Sequence, residues 1–150
     1  MNGHPSDPRP ITVVIADDQT MVRSGLRMIL DAQDGIEVVG EAADGAAAIK
    51  LVEELDPDVV LMDIRMPVLD GIAATKQLVA SGSRTRILVL TTYAVDEYVY
   101  DALRAGAAGF FAKTDHPDHI VNAVRSATDV DRQLGPGVTE LLLQQFLAAG

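Results

Sequence analysis

Pro57-Asp58-Val59-Val60-Leu61-Met62-Asp63-Ile64-Arg65-Met66-Pro67 holds the most telling pattern in the chain. A short apolar run bounded by proline on each side reads as a strand, and it ends abruptly on a lone carboxylate, Asp63, followed by a turn. Runs of similar kind recur on either side. Ile11-Thr12-Val13-Val14-Ile15-Ala16 is β-branched and almost continuously apolar, as a strand buried on both faces should be. Ile36 to Ala42 alternates more, which suggests an edge strand, and Arg86 to Thr91 and Gly109 to Ala112 complete the set. Between them lie helical periodicities. Met21, Val22, Leu26, Ile29 and Leu30 share one face of the first, with Arg23 and Arg27 on another. Ala46 to Leu55 forms the second helix, stopped before Pro57, and a third runs from about Leu69 to Ser81. Asp96 to Leu103 is ended by Gly106, and Pro117 opens the last, through about Thr128. Five strands alternating with five helices predict a doubly wound α/β fold, with a parallel sheet, right-handed crossovers and helices on both faces.

The chain of 150 residues suits one domain with tails, and 48% apolar content suits a packed globule. Twelve basic against 22 acidic residues leave a net charge of −10, the wrong sign for gripping a phosphate backbone, so any contact with nucleic acid must come from another segment. Without cysteine there are no disulfides, thiolate metal sites or thiol nucleophiles, and carboxylates, hydroxyls and lysines must do the chemistry. Residues 1–10 carry three prolines and no apolar leader, and read as a disordered lead-in. No apolar run is long enough to span a bilayer, and a cytoplasmic location is expected.

In a sheet of this kind ligands bind beyond the carboxyl ends of the strands. Asp17 and Asp18 follow the first strand, Asp63 ends the third, Thr91 and Thr92 end the fourth, and Lys113 follows the fifth. Residues spread over most of the chain therefore converge on one basin. Three crowded carboxylates repel unless a cation neutralises them, and a hard divalent ion with oxygen ligands, Mg²⁺ above all, is the natural occupant. The same cation would let a carboxylate attack a phosphoryl group, with Lys113 as a second positive charge.

These residues resemble a known family, the receiver domain of two-component response regulators, over roughly Ile11 to Thr128. The phrases Ile15-Ala16-Asp17-Asp18, Met62 to Gly71, Leu90-Thr91-Thr92-Tyr93 and Ala102 to Lys113 look like its NarL/FixJ branch, whose members usually carry a LuxR-type helix-turn-helix. The resemblance implies a flavodoxin-like (βα)5 fold with strand order 2-1-3-4-5. It implies that Asp63 is the phosphoacceptor and Asp18 a direct Mg²⁺ ligand. Asp17 would bind the metal directly or through water, and the backbone carbonyl of Arg65 would complete the protein ligands. Thr91 would reach for the phosphoryl group, Lys113 would pair with it, and Phe110 would be a switch aromatic that turns inward when Thr91 moves. The donor would be a sensor histidine kinase, and the output homodimerisation through the first and fifth helices or the face around the fourth, or control of a DNA-binding domain. Enzymatic content would be limited to self-phosphorylation and slow self-dephosphorylation. Arg65 and Tyr93, flanking the pocket, are expected to tune the lifetime of the phosphoryl group.

Two features depart from the family pattern. Lys113 is followed by Thr114 where many receivers have proline, and no helix-turn-helix fits in the sequence. Residues 129–150 read as a linker, with an amphipathic helix at 138–148 that places Val138, Leu141, Leu142 and Phe146 on one side.

Other readings compete. Asp17-Asp18 alone could be a solvated turn, Thr91 and Thr92 plain β-formers, Lys113 a surface cation, and one of Phe110 and Phe111 simple core. His116 and His119 could share a helical face, but no acidic or cysteine partner converges with them, so helix capping by His116 or its neighbours is the better reading. A dinucleotide enzyme is disfavoured because Asp17-Asp18-Gln19-Thr20 offers no glycine cradle. An aspartate-nucleophile phosphatase lacks a second acid two residues after Asp63, where Arg65 stands. A phosphorylation-independent interaction module is opposed by the intact Asp17, Asp18, Asp63, Thr91 and Lys113.

Overall fold

The computed structural model describes residues 9–92, 96–129 and 133–149. The strands are β1 (Ile11–Ala16), β2 (Ile36–Ala42), β3 (Val59–Asp63), β4 (Arg86–Thr91), β5 (Gly109–Ala112) and β6 (Gln133–Leu134). The helices are α1 (Thr20–Asp31), α2 (Gly45–Leu55), α3 (Gly71–Ala80), α4 (Asp96–Ala105), α5 (Pro117–Ser126) and α6 (Pro136–Ala149). They build one sheet in the order β2-β1-β3-β4-β5-β6, with every pairing parallel. The first five strands follow the expected order, with β2 at an edge.

Strands β1, β3 and β4 lie in the middle, and Val13, Val14, Ile15, Val59, Val60, Leu88 and Val89 have no exposed surface. That is why they read as continuous apolar runs: both faces of a parallel sheet are covered by helices. Alternate residues feed two cores. Val14, Val60, Met62, Val89 and Phe110 face one, with residues of α2, α3 and α4. Val13, Ile15, Leu61, Leu88 and Phe111 face the other, with residues of α1 and α5. Adjacent phenylalanines thus serve opposite cores, and both are buried.

The helix starts are chemically fixed. Asp44 accepts the Ala47 amide at 2.8 Å before α2, and Asp70 accepts the Ala73 amide at 2.8 Å before α3. The Asp70 cap starts α3 at Gly71, two residues later than the periodicity suggests. Leu69 is left in the preceding loop, where its carbonyl accepts the Gly45 amide at 3.0 Å. His116 caps α5 as expected, its Nδ1 accepting the Asp118 amide at 3.1 Å.

The segment after α5 extends the sheet. The sequence predicts five strands, but Gln133 donates its amide to the Ala108 carbonyl at 2.7 Å, and Gly135 donates to Phe110 at 2.9 Å, adding β6 beside β5. Two residues of pairing with no apolar run give no periodicity to read. Helix α6 then folds back: Val138 has no exposed surface and belongs to the core that holds Phe110, and Leu142 packs against it. Asp115 anchors the start of α6, accepting the Ala112 amide at 3.1 Å and the Gly137 amide at 3.4 Å. The side chains of Leu141 and Phe146 lie outside the described residues.

Candidate functional site

The carboxyl ends of β1, β3, β4 and β5 bring Asp17, Asp63, Thr91 and Lys113 together. Asp17 follows β1, where its backbone amide donates to Ala42 at 2.9 Å and continues the pairing with β2. It is 2% exposed, and both carboxylate oxygens are engaged: Oδ1 accepts the Gln19 amide at 2.8 Å, and Oδ2 lies 2.5 Å from Lys113 Nζ. Lys113 is held there by its backbone, whose amide donates to the Thr91 carbonyl at 2.7 Å. Its ammonium also lies 3.4 Å from Asp63 Oδ2, so one cation bridges two acids.

Asp63 ends β3 with 7% of its surface exposed, its Oδ1 accepting the Ile64 amide at 2.9 Å. Burial pushes its pKa up to about 6, the Lys113 charge opposes that rise and the Asp17 charge adds to it. Asp18 is exposed, and one carboxylate oxygen from each of Asp17, Asp18 and Asp63 falls within 4.8 Å of the others. This is a hard, anionic donor set of the kind that suits Mg²⁺. Asp18, Gln19, Asp63, Arg65, Thr91 and Thr92 line a cavity of about 190 Å³ over it. Thr91, one of its lining residues, is buried. Arg65 stands in the wall of the cavity, and Phe110 lies wholly inside the adjoining core. Tyr93 lies outside the described residues.

Several supports escaped the sequence reading. Arg23 donates Nη1 to the Asp17 carbonyl at 2.6 Å and Nε to Glu41 Oε1 at 3.1 Å, while Arg27 donates to Glu41 Oε2 at 2.6 Å. Hydrogen bonding from Arg27 holds the Glu41 carboxyl below its ordinary pKa. Both arginines are visible as a polar stripe on α1, but only β1–β2 pairing shows that the stripe faces Glu41 and the Asp17 turn. Gly71 is the second support. Its amide donates to the Ile64 carbonyl at 2.8 Å, and a Cβ there would collide with the Asp63 carbonyl oxygen.

The family model of the response regulator receiver domain matches residues 13–125. The chain belongs to this family. The receiver is 41% identical over 140 residues to the transcriptional regulatory protein LiaR of Bacillus subtilis, covering 93% of this chain and 66% of LiaR. It superposes with TM-score 0.87 and 30% identity on a LuxR-family two-component response regulator from Aurantimonas sp. SI85-9A1, covering 92% of this chain and 99% of that one. The signal receiver domain of the response regulator NarL from Mycobacterium tuberculosis gives TM-score 0.79 at 38% identity, over 82% of this chain and 100% of that one. These likenesses place the receiver among the LuxR/NarL-type regulators, as the four phrases lead one to expect. It spans between 51% and 66% of the length of the first curated relatives it matches.

Proposed function

We propose that Asp63 accepts a phosphoryl group from a sensor histidine kinase and that the receiver thereby switches its self-association or its control of a DNA-binding output domain. The observation that carries this reading is the position of Asp63: its carboxylate sits 3.4 Å from Lys113 Nζ at the edge of an acid-lined cavity. An Asp63 carboxylate oxygen forms the new O–P bond as the P–N bond of a phosphohistidine breaks, and the departing imidazole nitrogen takes a proton. Asp18, Asp63, Asp17 directly or through water, and the Arg65 carbonyl would hold Mg²⁺, which would neutralise charge on the transferring oxygens. Lys113 keeps one ammonium hydrogen bond on Asp17 and directs another towards the phosphoryl oxygens. Thr91 donates its hydroxyl to them, and Phe110 responds to that movement of Thr91 as the switch aromatic. Hydrolysis of the acyl phosphate by water returns the Asp63 carboxylate.

On this reading residues 11–128 are the receiver, residues 129–150 are a linker whose β6 and α6 pack back on the receiver's sheet and core, and DNA is touched only through an output domain. The curated relatives named as transcriptional regulatory proteins support that output. Met21 and Met28, 87% and 75% exposed on one face of α1, fit an α1-based contact between two copies. No helix among the described residues is long and apolar enough to cross a membrane, in keeping with a cytoplasmic regulator. Intact mass after incubation with Mg²⁺ and acetyl phosphate, with light scattering alongside, tests the reading. One phosphoryl group is expected, dependent on Mg²⁺ and lost in Asp63→Asn, with a change in particle mass. Absence of the adduct overturns it in favour of a phosphorylation-independent module.

A further inference from the structure

Arg65 stands between two cavities. One is the 190 Å³ cavity at Asp63. The other, of about 320 Å³, lies between α3 and α4, and its walls include Arg65, Asp70, Lys76, Tyr98 and Asp101. On that side the guanidinium lies 5.8 Å from the centroid of the Tyr98 ring and donates Nη2 to the Tyr98 hydroxyl at 3.4 Å. Tyr98 is in the first turn of α4 and packs against the Phe110 core. Arg65, two residues past Asp63, therefore ties the start of α4 to the loop after β3.

The tie is weak by construction. A 3.4 Å bond to a neutral hydroxyl lies at the long limit of such bonds, and an exposed cation–π contact contributes little. A phosphoryl group on Asp63 would bring several anionic oxygens into the neighbouring cavity, and guanidinium bonds to phosphate are charge-assisted, often bidentate and about twice as strong as neutral ones. Lys113 cannot absorb that charge alone, because it stays paired with Asp17.

We propose that Arg65 is a positioning residue that exchanges Tyr98 for the phosphoryl group, so that modification of Asp63 releases the first turn of α4. The inference rests on the phosphoacceptor reading of Asp63. It adds a second route from the site to α4, through the guanidinium and the surface rather than through Thr91 and the core. Reciprocity follows: whatever strengthens the Tyr98 contact weakens phosphoryl binding by the same factor.

The test is a double-mutant cycle on the full chain, with beryllofluoride and Mg²⁺ as the phosphoryl mimic, affinity measured by calorimetry and adduct formation by fluorine NMR. Tyr98→Leu, which keeps apolar volume against the core, is expected to tighten binding about two- to fivefold, the equivalent of about 0.5–1 kcal/mol for a lost exposed cation–π contact. In an Arg65→Gln background the same substitution should change nothing, and Tyr98→Phe, which keeps the ring face, should retain most of the wild-type affinity. Hydrogen exchange over 96–105 without the mimic should rise in both single variants and rise no further in the double. Equal tightening by Tyr98→Leu in both backgrounds, or additive effects on exchange, would overturn the inference while leaving the phosphoacceptor reading intact. Failure of the wild-type chain to form the adduct would overturn both.

Discussion

Replacing Asp63 with Asn in the absence of magnesium should make the domain more stable, although it removes the residue on which the proposed function depends. In the folded protein burial raises the Asp63 pKa from 3.8 to about 6. Between those values the folded chain holds a proton that the unfolded chain has released, so stability falls as pH rises through that window, and the loss is complete above pH of about 6. A shift of roughly two units corresponds to about 3 kcal/mol, and residual solvent around a carboxylate at the cavity edge reduces this to about 2 kcal/mol. The substitution loses the 3.4 Å contact with Lys113, but Lys113 keeps Asp17 at 2.5 Å, and the asparagine oxygen can still accept the Ile64 amide. Urea unfolding in EDTA should show the variant ahead of wild type by about 2 kcal/mol near pH 7.5 and level with it near pH 4. Added Mg²⁺ should then stabilise wild type more than the variant and close the gap, because the cation binds only the folded acidic cluster. A gap that does not depend on pH, or a variant less stable than wild type in EDTA near pH 7.5, would refute the electrostatic account of the site.

Three further expectations follow from individual residues. Gly71→Ala drives a methyl group into the Asp63 carbonyl; despite the better helix propensity of alanine it should cost about 1–3 kcal/mol in denaturation and slow phosphorylation by acetyl phosphate. Val68 is 82% exposed with φ of 71°, a left-handed conformation that a β-branched residue adopts under strain, so Val68→Asn should stabilise by about 1 kcal/mol in calorimetry. Val138→Ala removes a fully buried contact of α6 and should cost about 1–2 kcal/mol, with hydrogen exchange rising first in α6.

The fold was legible because its central strands are buried on both faces: Val59–Met62 and Val13–Ala16 have no polar position to spare, and a parallel sheet is the structure that demands this. The convergence of Asp17, Asp63, Thr91 and Lys113 was legible for a related reason, since parallel strands place all their carboxyl ends on one edge. Other features depend on distances that no spacing encodes. The clamp of Arg23 on the Asp17 carbonyl requires that α1 pack beside β2. The closeness of Gly71 to Asp63 requires the full path of the β3–α3 loop, and at the sequence level a glycine after Asp70 signals only a turn. Strand β6 is two residues long and paired through its backbone, so its side chains carry no record of it. The burial of Val138 was half legible, because the amphipathic pattern marks an apolar face without saying what that face meets.

What meets it has consequences for signalling, because β5 performs three tasks in four residues. Its carboxyl end delivers Lys113 to the acidic cluster, and its backbone closes on β4 through the 2.7 Å bond from the Lys113 amide to Thr91. Its Phe110 fills the core shared with Val99 and Ala102 of α4 and with Val138 of α6. Its outer edge pairs with β6, and Asp115 ties the Ala112 amide to the Gly137 amide at the head of α6. On the proposed reading, a shift of Thr91 or Lys113 towards a phosphoryl group therefore acts through this strand on the packing that seats α6. Packed cores change between discrete arrangements more readily than they deform continuously. On the proposed reading, the seat of α6 around Val138 is thus the place where a change of charge at Asp63 reaches the segment that follows α5.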